Sequence, residues 1–151
     1  MSEYAFYHLL TKRLDEALPE LLEKAVARGM KTVVLAGSKA RVDALDTLLW
    51  TYRREGFLAH GTRETGYPEA QPIYLTDAEE NPNQAEALFA VDGVRAEFAG
   101  RFARCFDLFD GNDESAVASA RERWREAKAA GHQLTYWQQT DRGGWEKKAE
   151  A

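Results

Sequence analysis

A single cysteine among 151 residues removes two kinds of chemistry at once. Cys105 has no partner for a disulfide within the chain and cannot build a multi-cysteine zinc site. It lies in the largely apolar stretch Phe102 to Phe109, where a buried, inert thiol is expected. The three histidines, His8, His60 and His132, are far apart, and none belongs to an H-x-x-x-H or H-E-x-x-H pattern. Structural or surface roles are expected for them, with no metal and no cofactor. No apolar run approaches the roughly 20 residues of a membrane helix, and Met1 to Leu10 is too short and too polar for a secretory signal. A cytoplasmic protein is the expectation. There is no internal repeat, low-complexity tract or dividing linker, so one domain over residues 1–151 is expected. Basic charge is also short. Lys and Arg number 20 against 25 Asp and Glu, a net charge of −5. That balance disfavours tight nonspecific binding to DNA or anionic membranes without excluding a local basic patch.

The motifs of common catalysts are missing too. No G-x-S-x-G elbow is present. Gly37-Ser38-Lys39 follows an apolar run and opens a helical pattern, the place where phosphate-binding loops sit. Yet neither G-x-x-x-x-G-K-[ST] nor G-x-G-x-x-G is there. An ordinary turn capped by Ser38 is expected, and a nucleotide-binding α/β enzyme using this turn stands as the alternative. Asp77, Glu79 and Glu80 read as a solvated acidic loop. Asp107 and Asp110 close an apolar run, where carboxylates can serve a site but capping of the next helix is commoner, and the loop Asp110-Gly111-Asn112-Asp113 holds N-cap candidates for that helix.

What is present is an alternation of strand and helix signals. Tyr4 to Leu9 is rich in aromatics and reads as a strand. Leu14, Ala17, Leu18, Leu21, Leu22, Ala25 and Val26 recur with helical period, and Gly29 stops them. Thr32 to Ala36 reads as a buried strand. Ala40, Ala44, Leu45, Leu48 and Leu49 form a second helical face that ends near Trp50. This β-α-β-α start predicts an α/β fold with a largely parallel sheet. Further on, Phe57 to His60, Pro72 to Leu75, Ala87 to Val91 and Phe102 to Phe109 are strand candidates. Val94 to Arg101 suits a short helix. His132 to Gln138 should be a strand, and Asp141-Arg142-Gly143-Gly144 a turn. A short edge strand at Trp145 fits, with the tail from about 140, and 146–151 in particular, fraying.

The segment Ala116 to Trp137 says most about function. It reads as an amphipathic helix, a glycine stop and an apolar, aromatic strand. Arg121, Arg125 and Lys128 stand at i, i+4 and i+7, which puts three cations on one helix face, and Trp124 borders that stripe. A cationic ridge beside an aromatic edge suits an acidic, aromatic-bearing partner. The competing reading makes Trp124 core, with Val117, Ala120 and Ala127, and the cations a plain solvated face. Direct nucleic-acid binding by this helix is disfavoured by Glu122, Glu126 and the net charge of −5. A second aromatic cluster, Trp50, Tyr52 and Phe57 with Leu58, either closes the core or forms an exposed patch.

Seven fragments, in order, carry a resemblance over nearly the whole chain. They are F-Y-H-L at Phe6 to Leu9, A-L-D-T-L-L-W at Ala44 to Trp50, F-L-A-H-G at Phe57 to Gly61, Q-P-I-Y-L-T at Gln71 to Thr76, N-P-N at Asn81 to Asn83, L-F-D-G at Leu108 to Gly111, and the long run Ala120 to Gln139. Together they resemble the chi subunit family of bacterial DNA polymerase III. The resemblance implies a Rossmann-like α/β domain without a nucleotide site, and a noncatalytic accessory subunit associated with the clamp loader. It implies binding of the acidic C-terminal tail of single-stranded DNA-binding protein, which ends in a phenylalanine with a free carboxylate, and in some bacteria a psi partner. DNA would be met indirectly, through these proteins. By resemblance the tail site maps onto Arg121, Trp124, Arg125 and Lys128, with Phe109 and Leu134 as pocket walls. The psi surface maps onto Trp50, Phe57 and Leu58. Trp124 stands where some relatives have a tyrosine, Val117 where some have a further lysine, and the pattern around Ala59 departs from a proline found in some relatives.

Overall fold

The computed structural model describes residues 2–52 and 59–151. In chain order the elements are β1 (Glu3–Leu9), α1 (Leu14–Ala27), β2 (Thr32–Leu35), α2 (Lys39–Thr51), β3 (Ile73–Thr76), β4 (Ala87–Val91), β5 (Arg104–Asp110), α3 (Glu114–Ala129), β6 (Gln133–Gln139) and β7 (Trp145–Glu150). The strands form one sheet in the order β3-β2-β4-β5-β1-β6-β7. All neighbours are parallel except β6 and β7, which are antiparallel.

Strand composition follows from this order. β2, β3 and β4 are covered on both faces and buried throughout, which is why they read as unbroken apolar runs. β5 alternates instead. Phe106 and Leu108 face the core under α1 and α2, with Leu18, Leu22, Leu45 and Phe89. Cys105 packs on the other face with Phe98 of a short 3-10 turn, Glu97–Arg101, and with Phe102 just after it. Phe109 joins Phe6, Leu134, Ala120 and Ala127 beneath α3. Helices α1 and α2 thus cover one face of the sheet, while the 3-10 turn and α3 cover the other.

Several expectations are adjusted. The short helix expected within 94–101 is of the 3-10 type and spans Glu97–Arg101. Phe57 and Leu58 lie outside the described residues; beyond them the first sheet contact is an isolated bridge between Gly61 and Tyr74, not a strand through His60. The tail does not fray at 146, because Trp145–Glu150 pairs with β6 as the outermost strand. A slip in register between Tyr136 and Trp137 leaves Lys148 as an extra residue on β7, and pairing resumes beyond it. Capping of α3 falls to Asp113, whose carboxylate accepts from the amides of Ser115 and Ala116. Asp110 turns the loop by accepting from Asn112, and Asp107 is used elsewhere.

Candidate binding surface on the last helix and the strand that follows it

Helix α3 starts at the Asp113 cap and ends at Gly131, whose φ of +85° is the left-handed stop that favours glycine. Its 16 residues divide into three strips. Ala120, Arg123 and Ala127 face inward and are buried. Arg123 is held there by a two-point pair with Asp107, Nε to Oδ2 at 2.6 Å and Nη2 to Oδ1 at 3.0 Å, and it also donates to the Ser119 hydroxyl. Burial pushes the Asp107 carboxyl upward, and the Arg123 guanidinium opposes that shift. On one flank, Glu122 and Glu126 are engaged by Arg95. On the opposite flank stand Arg121, Arg125 and Lys128. All three are exposed, and none has an ion-pair partner among the described residues.

Trp124 separates these cations from the core. It is half-buried, with its ring 5.5 Å from Phe6 and 5.9 Å from Tyr136, both edge-on. The sheet beneath explains the arrangement. Parallel pairing sets Tyr4 beside Leu134, Phe6 beside Tyr136 and His8 beside Gln138, so these side chains share the α3 face. The Tyr136 hydroxyl and His8 Nδ1 are hydrogen-bonded at 2.6 Å, and the His8 ring packs edge-on against Phe109 at 5.2 Å. Gly111 makes room for that imidazole: a Cβ there would collide with His8 and with the Leu9 carbonyl. Burial lowers the His8 pKa, a backbone contact with Gly111 works against the shift, and the Arg121 charge adds to it. Burial likewise raises the Tyr136 phenol, and Arg121 pulls it back. Arg121 therefore projects its field over both rings.

The Gly37-Ser38-Lys39 turn has its groups already occupied. Ser38 Oγ accepts from the Arg41 amide, and the Lys39 amine is 2.9 Å from Glu64 and 3.6 Å from Asp43. A larger cavity of about 840 Å³ lies at the C-terminal ends of the strands, where α/β folds bind nucleotides. Asp15, Asp92, Asp110 and Asp113 line it, and its Arg41 is taken by Asp92 at 2.7 Å. Lys12, Arg13, Arg41 and Arg123 line it as well, so four cations balance the four carboxylates and the cavity offers a phosphate no net positive charge. Cys105 is buried and donates to the Ala99 carbonyl, and burial pushes its thiol up to about 12. Among the described residues no group of three or more potential ligands is placed to hold a metal. None of their helices is long and apolar enough to cross a membrane.

The family model described as DNA polymerase III chi subunit, HolC, matches residues 1–135. The chain belongs to the chi family. A relative from Rickettsia prowazekii (strain Madrid E), described as a probable DNA polymerase III subunit chi, is 34% identical over 91 residues. That match covers 60% of this chain and 55% of the relative, so the chain spans about half the length of the curated relative it matches.

The structure brings most of the tail-site residues expected of a chi protein to one place. Arg121, Trp124, Arg125 and Lys128 share the flank of α3 that overlooks β6. Phe109 and Leu134 are nearby but only 2% and 1% exposed, which makes them the floor under Trp124 rather than open walls. Val117 is partly buried in the same cluster. For the expected psi surface, Trp50 is 55% exposed at the end of α2, 4.9 Å from the His60 ring, while Phe57 and Leu58 fall outside the described residues. Tyr136 and His8 belong to the surface and were not singled out from sequence. The signal was available in part, because Leu134 and Tyr136 alternate on β6 as Tyr4, Phe6 and His8 do on β1.

Proposed function

We propose that this chain is a noncatalytic accessory subunit of DNA polymerase III in replication, associated with the clamp loader. Its α3–β6 surface takes the acidic C-terminal tail of single-stranded DNA-binding protein. The observation that carries this reading is the stripe of Arg121, Arg125 and Lys128, exposed and without carboxylate partners among the described residues, beside the half-buried ring of Trp124. A terminal carboxylate suits Arg121 or Arg125, where a guanidinium offers two parallel donors. Lys128, a point charge one turn on, suits an upstream aspartate. The phenyl ring of the last residue rests on the Trp124 and Tyr136 edges, since Phe109 and Leu134 already fill the space below.

Calorimetry with a synthetic tail peptide tests this, run with and without its last phenylalanine. Arg121→Ala and Arg125→Ala should each weaken binding by about tenfold while the protein stays folded, the loss of one charge-assisted contact. Raising salt should weaken it further, because exposed charges are screened. Unchanged affinity in both variants overturns the site.

The exposure of Trp50 supports a second contact, with a psi-like subunit, at the end of α2. Trp50→Ala should then abolish co-purification with such a partner and leave tail binding intact.

A further inference from the structure

The face of the sheet turned away from α3 carries a second open groove. Helix α1 lies over β5 and β2, and beside it a cleft of about 490 Å³ runs across β5, β1, β6 and β7. Register explains its walls. Tyr7 pairs with Trp137, Ala5 with Phe106 and Thr135, and Gln139 with Trp145, which puts these side chains on one face. Tyr7, Phe106, Trp137 and Trp145 are all partly exposed. The Tyr7 ring lies 4.8 Å from Trp145 and 6.0 Å from Phe106. The other end of the cleft is cationic. Lys24 in the last turn of α1 and Arg28 at its C-cap line it together with Arg104 at the start of β5. Lys24 and Arg28 have no carboxylate partner among the described residues, and Arg104 has Glu3 at 3.7 Å. Arg28 and Arg104 both act on the Tyr7 hydroxyl, easing the upward shift that burial imposes on it.

We propose that this groove binds an extended acidic peptide segment of a partner protein, with an aromatic side chain over Tyr7, Trp137 and Trp145 and carboxylates at Lys24, Arg28 and Arg104. Length selects a peptide. From Glu3, beside Arg104, to Tyr7 is four residues of β1, roughly 13 Å, which matches about four extended residues better than one compact ligand. Charge excludes a long polyanion. Three cations gather at one end of a chain whose net charge is −5, and the aromatic remainder of the cleft wall adds no further cation among the described residues. Position separates the groove from the α3 surface, because the sheet lies between them. Trp137 and Trp145 also lie beyond residue 135, where the match to the chi family ends.

The test is calorimetry on the full chain with an acetylated, amidated pentapeptide of four aspartates and one terminal tryptophan. Blocking the C-terminus removes the free carboxylate that the α3 surface would need. The wild type should bind, and Lys24→Gln with Arg28→Gln should weaken binding by about tenfold or more. These two residues are exposed, so circular dichroism should be unchanged. Trp145→Ala should weaken it independently, and Arg121→Ala with Arg125→Ala should leave it alone, which keeps this result separate from that for the tail site. No heat from the wild type, or equal heat from both groove variants, overturns the proposal. Tighter binding of decathymidylate, lost in the same variants, overturns it in favour of nucleic acid. A dimer in sedimentation that Trp145→Ala dissociates overturns it in favour of a second copy of this chain.

Discussion

Arg123 and Arg125 are two residues apart on α3 and have opposite fates. Arg123 points into the protein, 8% exposed at the side chain, and forms a two-point pair with Asp107. Arg125 points outward beside Arg121 and Lys128 and has no ion-pair partner among the described residues. Residue type does not separate them. Helical phase does: a step of two turns the side chain by roughly 200°. The first arginine belongs to the fold, and the second is available to a partner.

The largest expected effect sharpens this contrast. Arg123→Ala leaves Asp107 buried without its counter-charge and should cost about 3–5 kcal/mol, read as a shift of the urea midpoint. Replacing both members, Arg123→Met with Asp107→Leu, should recover most of that loss. If Arg123→Ala were as stable as the wild type, the division between structural and available arginines would fail. Next, Gly111→Ala should cost about 1–3 kcal/mol by driving a methyl into His8 and the Leu9 carbonyl, without touching any α3 cation.

A smaller effect is set by pH. Burial holds the His8 pKa below the ordinary 6.5. The unfolded chain therefore binds the proton first, and stability falls as pH drops from 6.5 through the folded-state value. His8→Gln should flatten that part of the stability-against-pH curve. The smallest effect completes the comparison. Arg121→Ala with Arg125→Ala should change stability by no more than about 0.5 kcal/mol, in contrast to the Arg123 variant.

Much of this was legible in the sequence, for reasons that differ between elements. β2 and β4 announce themselves because a strand covered on both faces must be apolar throughout. The cation stripe was legible because the i, i+4, i+7 spacing fixes side-chain direction within one helix. The partners of Arg123 and His8 were not, since each depends on pairing between distant segments. In R-E-R-W-R-E, Arg123 looks like one more solvated charge until β5 supplies Asp107 beneath it. Tyr136 meets His8 across 128 positions. Sheet order was equally hidden, because local pattern does not say that β1 sits between β5 and β6. The edge strand β7 was underestimated because W-E-K-K-A-E has the polarity of a loose end. Alternating Lys and Glu pairs let such a sequence serve as an outermost strand.

Gln139 has a consequence for the order in which the chain matures. Its Oε1 accepts hydrogen bonds from the backbone amides of Leu10, Thr11 and Lys12, at 3.0, 2.9 and 2.8 Å. Arg13 provides no side-chain cap to α1, so the approach to that helix is fastened by a carboxamide 129 residues further along the chain from Leu10. During synthesis the segment around residue 11 must wait, its amides solvated, until residue 139 has left the ribosome. A turn made early is thus locked late.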